Sequence, residues 1–162
     1  MRSSRRRRSI RARLASSFGV AVLLAGTQAV SLPDVRHTAP DTPYKVIVNK
    51  SNPVVSLTKS ELARLFLKKA IVWQGGGEVQ PVDLGEDSDI RQAFSKQVLG
   101  KDISAVKGYW QQLIFTGKGV PPIEKQSESE VLAFVAANRN AIGYVSAAAT
   151  LGADVKLVKI TD

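Results

Sequence analysis

The sequence contains no cysteine and a single histidine, His37, among its 162 residues. Without cysteine the chain can form no disulfide, no thiolate metal site, no cysteine nucleophile and no lipid anchor on cysteine. It also contains no glycine-rich phosphate loop and no spaced set of His, Asp and Glu that would ligate a metal. The sequence therefore predicts no cofactor, no metal site and no catalytic residue, and it argues against an enzyme.

Acidic residues are absent from the first 29 positions, which hold seven arginines. The net charge is +9 for the whole chain and +2 for residues 30–162, which exclude these seven arginines. A nearly neutral folded part argues against a nucleic-acid-binding domain. No apolar run reaches the ~20 residues of a good membrane span, because serine, glycine, threonine and glutamine interrupt residues 14–30. We therefore expect no stable membrane insertion after the N-terminal segment is removed.

The first 29 residues have the three parts of a secretory signal. A basic start is followed by the apolar stretch 18–26 and by small residues at Thr27 and Ala29. The pattern predicts a signal peptide at residues 1–29 that is cleaved after Ala29, and a periplasmic or secreted protein. An uncleaved anchor remains an alternative, as does twin-arginine export through the loose match "RRSIR" at residues 7–11.

The remaining chain divides into a leader and one domain. Residues 30–43 contain three prolines and no sustained hydrophobic period, which predicts a flexible leader. Within residues 44–162, four predicted strands (44–48, 78–84, 141–145 and 155–160) alternate with four predicted helices, which begin at Thr58, at Asp87 or Ser88, at Ser104 and near Ser129. This alternation predicts an α/β fold with helices on both faces of the sheet.

Three carboxylates, Glu86, Asp87 and Asp89, stand where the second strand passes into the second helix. Backbone N–H groups at a helix N-terminus attract anions, so acids at this position most often satisfy the helix terminus themselves. Ligation of a hard cation by these acids is the alternative. The aromatic residues Trp73, Tyr109 and Trp110 lie at loop and helix positions that favour the core over a sugar-stacking platform.

Four segments, taken in order, resemble the phosphate-type substrate-binding proteins of ABC transporters. They are "NPVVSLTKSELARLFLKKAIVW" (52–73), "VQPVDLGEDSDIRQAF" (79–94), "IFTGKG" (114–119) and "AIGYV" (141–145). The resemblance implies a type II periplasmic binding protein fold, in which two α/β lobes close on an anion. Since ~120 residues correspond to a single domain, the chain resembles one lobe of such a protein, with a mixed sheet.

The resemblance also locates a phosphate motif, a Ser-Gly-Thr at a helix N-terminus with an arginine four residues before the serine. Ser88 matches the serine, whereas Asp89, Ile90 and Leu84 occupy the glycine, threonine and arginine positions. Two unit charges ~5 Å apart near a surface repel by roughly 3 kcal/mol, and helix-dipole attraction of about 0.3–1 kcal/mol does not offset this. The resemblance thus implies a solute-binding-like protein, associated with phosphate or anion transport, whose phosphate motif is degraded.

Four residues are the candidate ligand-binding set: Ser51, Ser88, Asp89 and Arg91. They follow predicted strands or begin the next helix, where α/β sheets place their ligands. The expected partner is a small anion or other small solute, bound without catalysis. The alternative is a non-catalytic interaction module that forms a homodimer or docks on a protein partner through its open lobe face. The sequence does not separate the two hypotheses.

Overall fold

The computed structural model describes residues 42–162, so the predicted signal peptide, His37 and nearly all of the predicted leader lie outside the described residues. The described elements are β1 (Tyr44–Asn49), β2 (Ser56–Thr58), α1 (Lys59–Phe66), β3 (Gln80–Leu84), α2 (Asp89–Phe94), α3 (Ile103–Phe115), β4 (Ile123–Lys125), α4 (Glu128–Ala137), β5 (Ala141–Ser146), β6 (Val155–Leu157) and β7 (Lys159–Thr161). A π-helical turn, Ser95–Leu99, continues α2. Within this part of the chain no helix is both long enough and apolar enough to cross a membrane.

The main sheet has five strands in the order β4-β3-β5-β1-β6. Strand β3 is parallel to β4 and β5, whereas β1 is antiparallel to β5 and β6. A separate parallel pair joins β2 to β7. The predicted mixed sheet is therefore confirmed. Strands β3, β4 and β5 end at the same side of the sheet, and β1 ends at the opposite side.

Helices cover both faces of this sheet, as the alternating pattern predicted. Successive residues of β5 point to opposite faces: Gly143 lies against Val131 and Val135 of α4, while the Tyr144 ring stacks on Phe94 at 3.9 Å between ring centroids. Phe66 of α1 joins the same aromatic cluster, 4.7 Å from Phe94. The helical stripes containing the two phenylalanines are thus part of the core.

The helix ends follow local sequence signals. Thr58, where the first helix was predicted to begin, forms a capping box with Glu61 at the start of α1. Ser88 caps α2, and Gly100 ends the π-helical turn in a left-handed conformation, at φ 64°. The predicted start of α3 at Ser104 is wrong by two residues, because the Asp102 carboxylate accepts the Ala105 N–H at 2.7 Å and is the cap. Helix α4, predicted to begin near Ser129, begins at Glu128 and is capped by Ser127.

The predicted strand 155–160 is two short strands in different sheets. The Val158 N–H donates to the Val46 carbonyl of the main sheet, while the next residue, Lys159, donates to the Val55 carbonyl beside β2. The chain changes sheets at this point.

The indole N–H of Trp73 donates to the Asn140 carbonyl at 3.1 Å, and both tryptophans are buried, in agreement with the expectation that they belong to the interior.

Gly143 lies where side chains of β3 and α4 pack closely on strand β5, which leads to a stability test. A Cβ atom there would lie 2.7 Å from Val82 Cγ1 and 2.9 Å from Val131 Cγ1. We expect Gly143→Ala to lower the free energy of unfolding by about 1–3 kcal/mol through overpacking. The matched control is Gly152→Ala, whose Cβ meets no atom within 4 Å. Equal urea midpoints for the two variants would contradict the tight packing of α4.

Candidate functional site

A polar cavity lies where strands β3 and β4 end. Its volume is about 470 Å³, and its lining residues, here called the acidic cavity, are Gly85, Glu86, Asp87, Ser88, Glu124 and Gln126. Ligands of α/β sheets gather outside the carboxyl ends of parallel strands. This cavity is therefore the candidate site. A larger cavity of about 590 Å³ lies beside β2 and α1 and is lined by side chains such as Val55, Leu65 and Trp73. Its acidic residue, Glu61, accepts the Thr58 N–H in the α1 cap and is therefore less available to a ligand.

Carboxylates dominate the charge of the acidic cavity. Glu86, Asp87 and Glu124 all line it. Lys107 of α3 lies 3.1 Å from Glu86 and offsets one of these charges. With one of the three carboxylates offset by Lys107, the side chains that line the cavity carry net negative charge.

Ser88 and Asp89 lie together at the start of α2, next to the cavity. The Ser88 hydroxyl accepts the Arg91 N–H at 3.3 Å, and the Ser88 N–H donates to the Gly85 carbonyl. The cap hydrogen bond is therefore made by the Ser88 hydroxyl and not by a carboxylate, and the expected contribution of the acids is limited to charge. Asp89 lies in the first turn, where its charge is favourable to the helix dipole.

Arg91 lies inside the domain and does not line the cavity. Its guanidinium Nη1 is 2.8 Å from Asp83 Oδ2 and 3.6 Å from Glu124 Oε2, and it also donates to the Leu84 carbonyl. Only 7% of the residue is exposed. The candidate ligand contact is instead half of a buried ion pair. Its Nε has no protein partner.

Asp83 and Tyr144 complete this buried cluster, and the sequence analysis missed both residues. The Tyr144 hydroxyl and the Leu84 N–H donate to Asp83 Oδ1. Burial raises the pKa of Asp83, and the Arg91 charge and these two donors oppose that rise. Burial also raises the pKa of Tyr144, and the neighbouring Asp83 charge raises it further. The only available signal was an acidic residue inside the apolar strand "PVDL".

Ser51 lies at the opposite end of the sheet from Ser88. It follows β1, and its N–H donates to the Asn49 side chain at 2.9 Å. Because β1 runs antiparallel to β5, its carboxyl end pairs near Ile142, whereas the cavity lies beyond Leu84. The expectation that Ser51 shares a site with Ser88 and Asp89 is therefore wrong.

Two further features limit the chemistry of this region. Leu84, at the arginine position of the motif, is 2% exposed, so its side chain belongs to the core and not to the cavity. Among residues 42–162, no group of three or more His, Cys, Asp or Glu side chains is arranged to hold a metal ion. The cation-binding alternative for Glu86, Asp87 and Asp89 thus gains no support from the geometry.

Comparison with known proteins gives matches only among solved structures. No protein-family profile matches the sequence, and no curated protein matches it. An ABC-type phosphate transport receptor from Vibrio cholerae matches 73% of this chain with 46% of its own length, at 19% identity and a TM-score of 0.57. A protein from Clostridium perfringens, described as a phosphate ABC transporter substrate-binding protein with bound phosphate, matches 73% of this chain with 44% of its own length, at 24% identity and a TM-score of 0.58.

A possible phosphate binding protein from Planctomyces limnophilus matches 74% of this chain with 42% of its own length, at 18% identity and a TM-score of 0.55. The chain therefore spans less than half the length of these structures. At such identities the similarity concerns the fold and not the site chemistry. The described part of the chain has the fold of one α/β lobe of the substrate-binding proteins of phosphate ABC transporters, as the sequence resemblance predicted.

Proposed function

We propose that the chain is an exported, non-enzymatic solute-binding lobe whose cavity no longer favours phosphate. The fold supports the solute-binding role, because the structures compared above are described as phosphate transport or phosphate-binding proteins. The N-terminal sequence supports export. The proposal that the cavity does not favour phosphate depends on one observation. The carboxylates of Glu86, Asp87 and Glu124 line the acidic cavity.

The electrostatics of the cavity disfavour phosphate for a physical reason. A unit charge of phosphate ~5 Å from a single carboxylate costs roughly 3 kcal/mol near a surface, whereas the helix terminus returns about 0.3–1 kcal/mol. Lys107 offsets Glu86, but the Arg91 charge is already paired with Asp83. A neutral or cationic polar solute that donates hydrogen bonds to Glu124 and Asp87 therefore fits better than a free anion.

We expect phosphate at millimolar concentration to leave the melting temperature of the wild-type protein unchanged. A ligand stabilises by about 2.7 kcal/mol at 100 times its dissociation constant and by almost nothing well below that constant. The double variant Asp87→Asn/Glu124→Gln removes two carboxylates with little change in shape, and we expect it to bind phosphate weakly. Calorimetric titration of both proteins with phosphate, sulfate and small amines measures the difference.

The control is Glu78→Gln/Asp154→Asn, which changes net charge by the same amount at two exposed positions outside the cavity. It should bind no phosphate. Micromolar phosphate binding by the wild type would contradict the proposed preference. Leu84→Arg is unsuitable for restoring the motif, because an arginine at this buried position would destabilise the fold before it could reach the cavity.

An interaction module is the second candidate function. The observation in its favour is the exposure of large apolar side chains on and after α3, among them Ile114, Phe115 and Val120. None of them lines the acidic cavity. A partner that uses this surface would therefore leave the proposed solute site accessible.

A further inference from the structure

Helix α3 is buried on one face and exposed on the other. Val106 and Trp110 form its buried face. On the opposite face, four exposed residues follow one another at intervals of four, three and four positions, which places them in one line along the helix. This line, here called the α3 stripe, consists of Ser104, Gly108, Gln111 and Phe115. It contains no charged residue.

Two members of the α3 stripe are unfavourable for an isolated domain. Phe115 is 93% exposed, the highest exposure among the large apolar residues of the described part. Gly108 lies in the helix interior, where glycine costs about 0.8–1 kcal/mol relative to alanine. A Cβ at position 108 would meet no atom within 4 Å, so contacts within the chain do not require glycine there. Exposed helix faces are usually charged or polar. The α3 stripe instead has a large apolar side chain at Phe115 and no side chain at Gly108.

We propose that the α3 stripe is a self-association surface on which a second copy of the chain packs antiparallel. In such a pair, with the two-fold axis between positions 111 and 112, Phe115 of each copy lies over Gly108 of the other. The missing side chain at Gly108 gives the ring room, and the amides of Gln111 and Gln112 meet near the axis and can pair. The surface is therefore complementary to itself, as a two-fold contact requires. This inference names the partner for the interaction surface of the second candidate function, and it does not rest on the proposed solute site.

The exposed apolar area has the size that a dimer contact needs. Ile114, which precedes Phe115 in α3, and Val120, which follows the helix, are also exposed, at 54% and 62%. An aromatic side chain buries about 150–250 Å². With the smaller exposed parts of Ile114 and Val120 added to Phe115, the apolar area available for burial is roughly 300–400 Å² per copy. A standard interface covers about 800 Å² per partner, of which about 60% is apolar. The three side chains thus supply most of the apolar part of such an interface.

The charges near the stripe favour a second copy over a membrane or a nucleic acid. Residues 103–122 contain two lysines, Lys107 and Lys118, and no acid, and Lys107 is already paired with Glu86. Anionic lipid surfaces are usually bound by clusters of about 4–8 basic residues. Two lysines, one of them neutralised, are too few for that role and impose only weak repulsion between two copies.

Sedimentation and light scattering of protein expressed from the full-length sequence test the proposal. We expect a dimer at micromolar concentration, and at least about tenfold weaker association for Phe115→Ser and for Gly108→Leu. Gly108→Leu should also raise the unfolding midpoint of the monomer, because leucine is the better helix former, which separates loss of the dimer from loss of the fold. Val55→Ser, at another exposed apolar position, should leave association unchanged. A wild-type protein that is monomeric at ~100 µM would overturn the proposal.

The absence of native cysteine permits a second, geometric test. A single cysteine introduced as Gln111→Cys lies near the proposed axis and should give a disulfide-linked dimer under mild oxidation, since only a near-axial position brings two copies of one residue within bonding distance. The control is Gln97→Cys, an exposed position on the π-helical turn. Equal cross-linking at the two positions would refute the antiparallel α3 contact. Solute titration of the same samples reports independently on the acidic cavity.

Discussion

Replacing Phe94 by alanine should lower the free energy of unfolding by about 3–5 kcal/mol. The Phe94 ring lies at the centre of the aromatic cluster, stacked on Tyr144 at 3.9 Å and 4.7 Å from Phe66, with the edge of Tyr44 at 5.3 Å between centroids. Truncation would leave a cavity between α1, α2 and the sheet. The surrounding rings are held in place by strands β1 and β5, which contain Tyr44 and Tyr144, and by helix α1, which contains Phe66, so they cannot close it fully. Urea denaturation followed by tryptophan fluorescence measures the loss.

Phe115→Ala provides the matched control, because the same atoms are removed at a position that is 93% exposed. At protein concentrations where the chain is monomeric, this variant should change the free energy of unfolding by less than about 0.5 kcal/mol. A cost below ~1 kcal/mol for Phe94→Ala would mean that the aromatic cluster does not join the helices to the sheet. Similar costs for the two variants would lead to the same conclusion.

Local sequence signals account for much of the fold. Strand β1 and strand β5 contain short apolar runs, the α1 cap has its threonine and glutamate three positions apart, and Gly100 stops a helix. Each of these features depends on neighbouring residues, so it can be predicted without the tertiary structure. The resemblance to phosphate-type binding proteins adds the number of lobes and the position of the cavity at the start of α2.

Strand direction was not predictable from these signals. An apolar run indicates a strand but not whether it pairs parallel or antiparallel with its neighbours. Ser51 was therefore grouped with Ser88, although the antiparallel course of β1 places it at the other end of the sheet. The error concerns topology, because the strand itself was predicted correctly, at 44–48 against Tyr44–Asn49 in the structure.

Arg91 illustrates a different difficulty. Its charge favours an exposed position, and so it was grouped with the ligand-binding residues. Its spacing of three and seven positions from Phe94 and Val98, however, places it on the buried stripe of the same helix. The pattern was visible in the sequence, but its meaning depended on a partner, Asp83, that lies on a different element. Pairing between elements is set by the tertiary fold and not by either local segment.

The partnership of Arg91 and Asp83 leads to the second large expected effect. Asp83→Ala should lower the free energy of unfolding by about 3–5 kcal/mol, because it leaves a buried guanidinium without its carboxylate. The remaining acceptor groups are the Leu84 carbonyl and Glu124, whose carboxylate is 3.6 Å away. These cannot replace a bond of 2.8 Å to a buried carboxylate. Chemical denaturation of the single variant measures the loss.

The paired replacement Asp83→Leu/Arg91→Met distinguishes this cause from simple loss of packing. Removing both charges and filling their volume with apolar groups is often neutral or stabilising, so the double variant should recover the part of the loss that comes from the unpaired guanidinium. The buried Tyr144 hydroxyl loses its Asp83 acceptor in both variants, and that cost remains. If Asp83→Ala instead costs less than ~1 kcal/mol, the guanidinium must reach water when its partner is removed. In that case the freed charge would lie beside Glu124 at the acidic cavity, and the single variant should gain phosphate affinity that the paired replacement lacks.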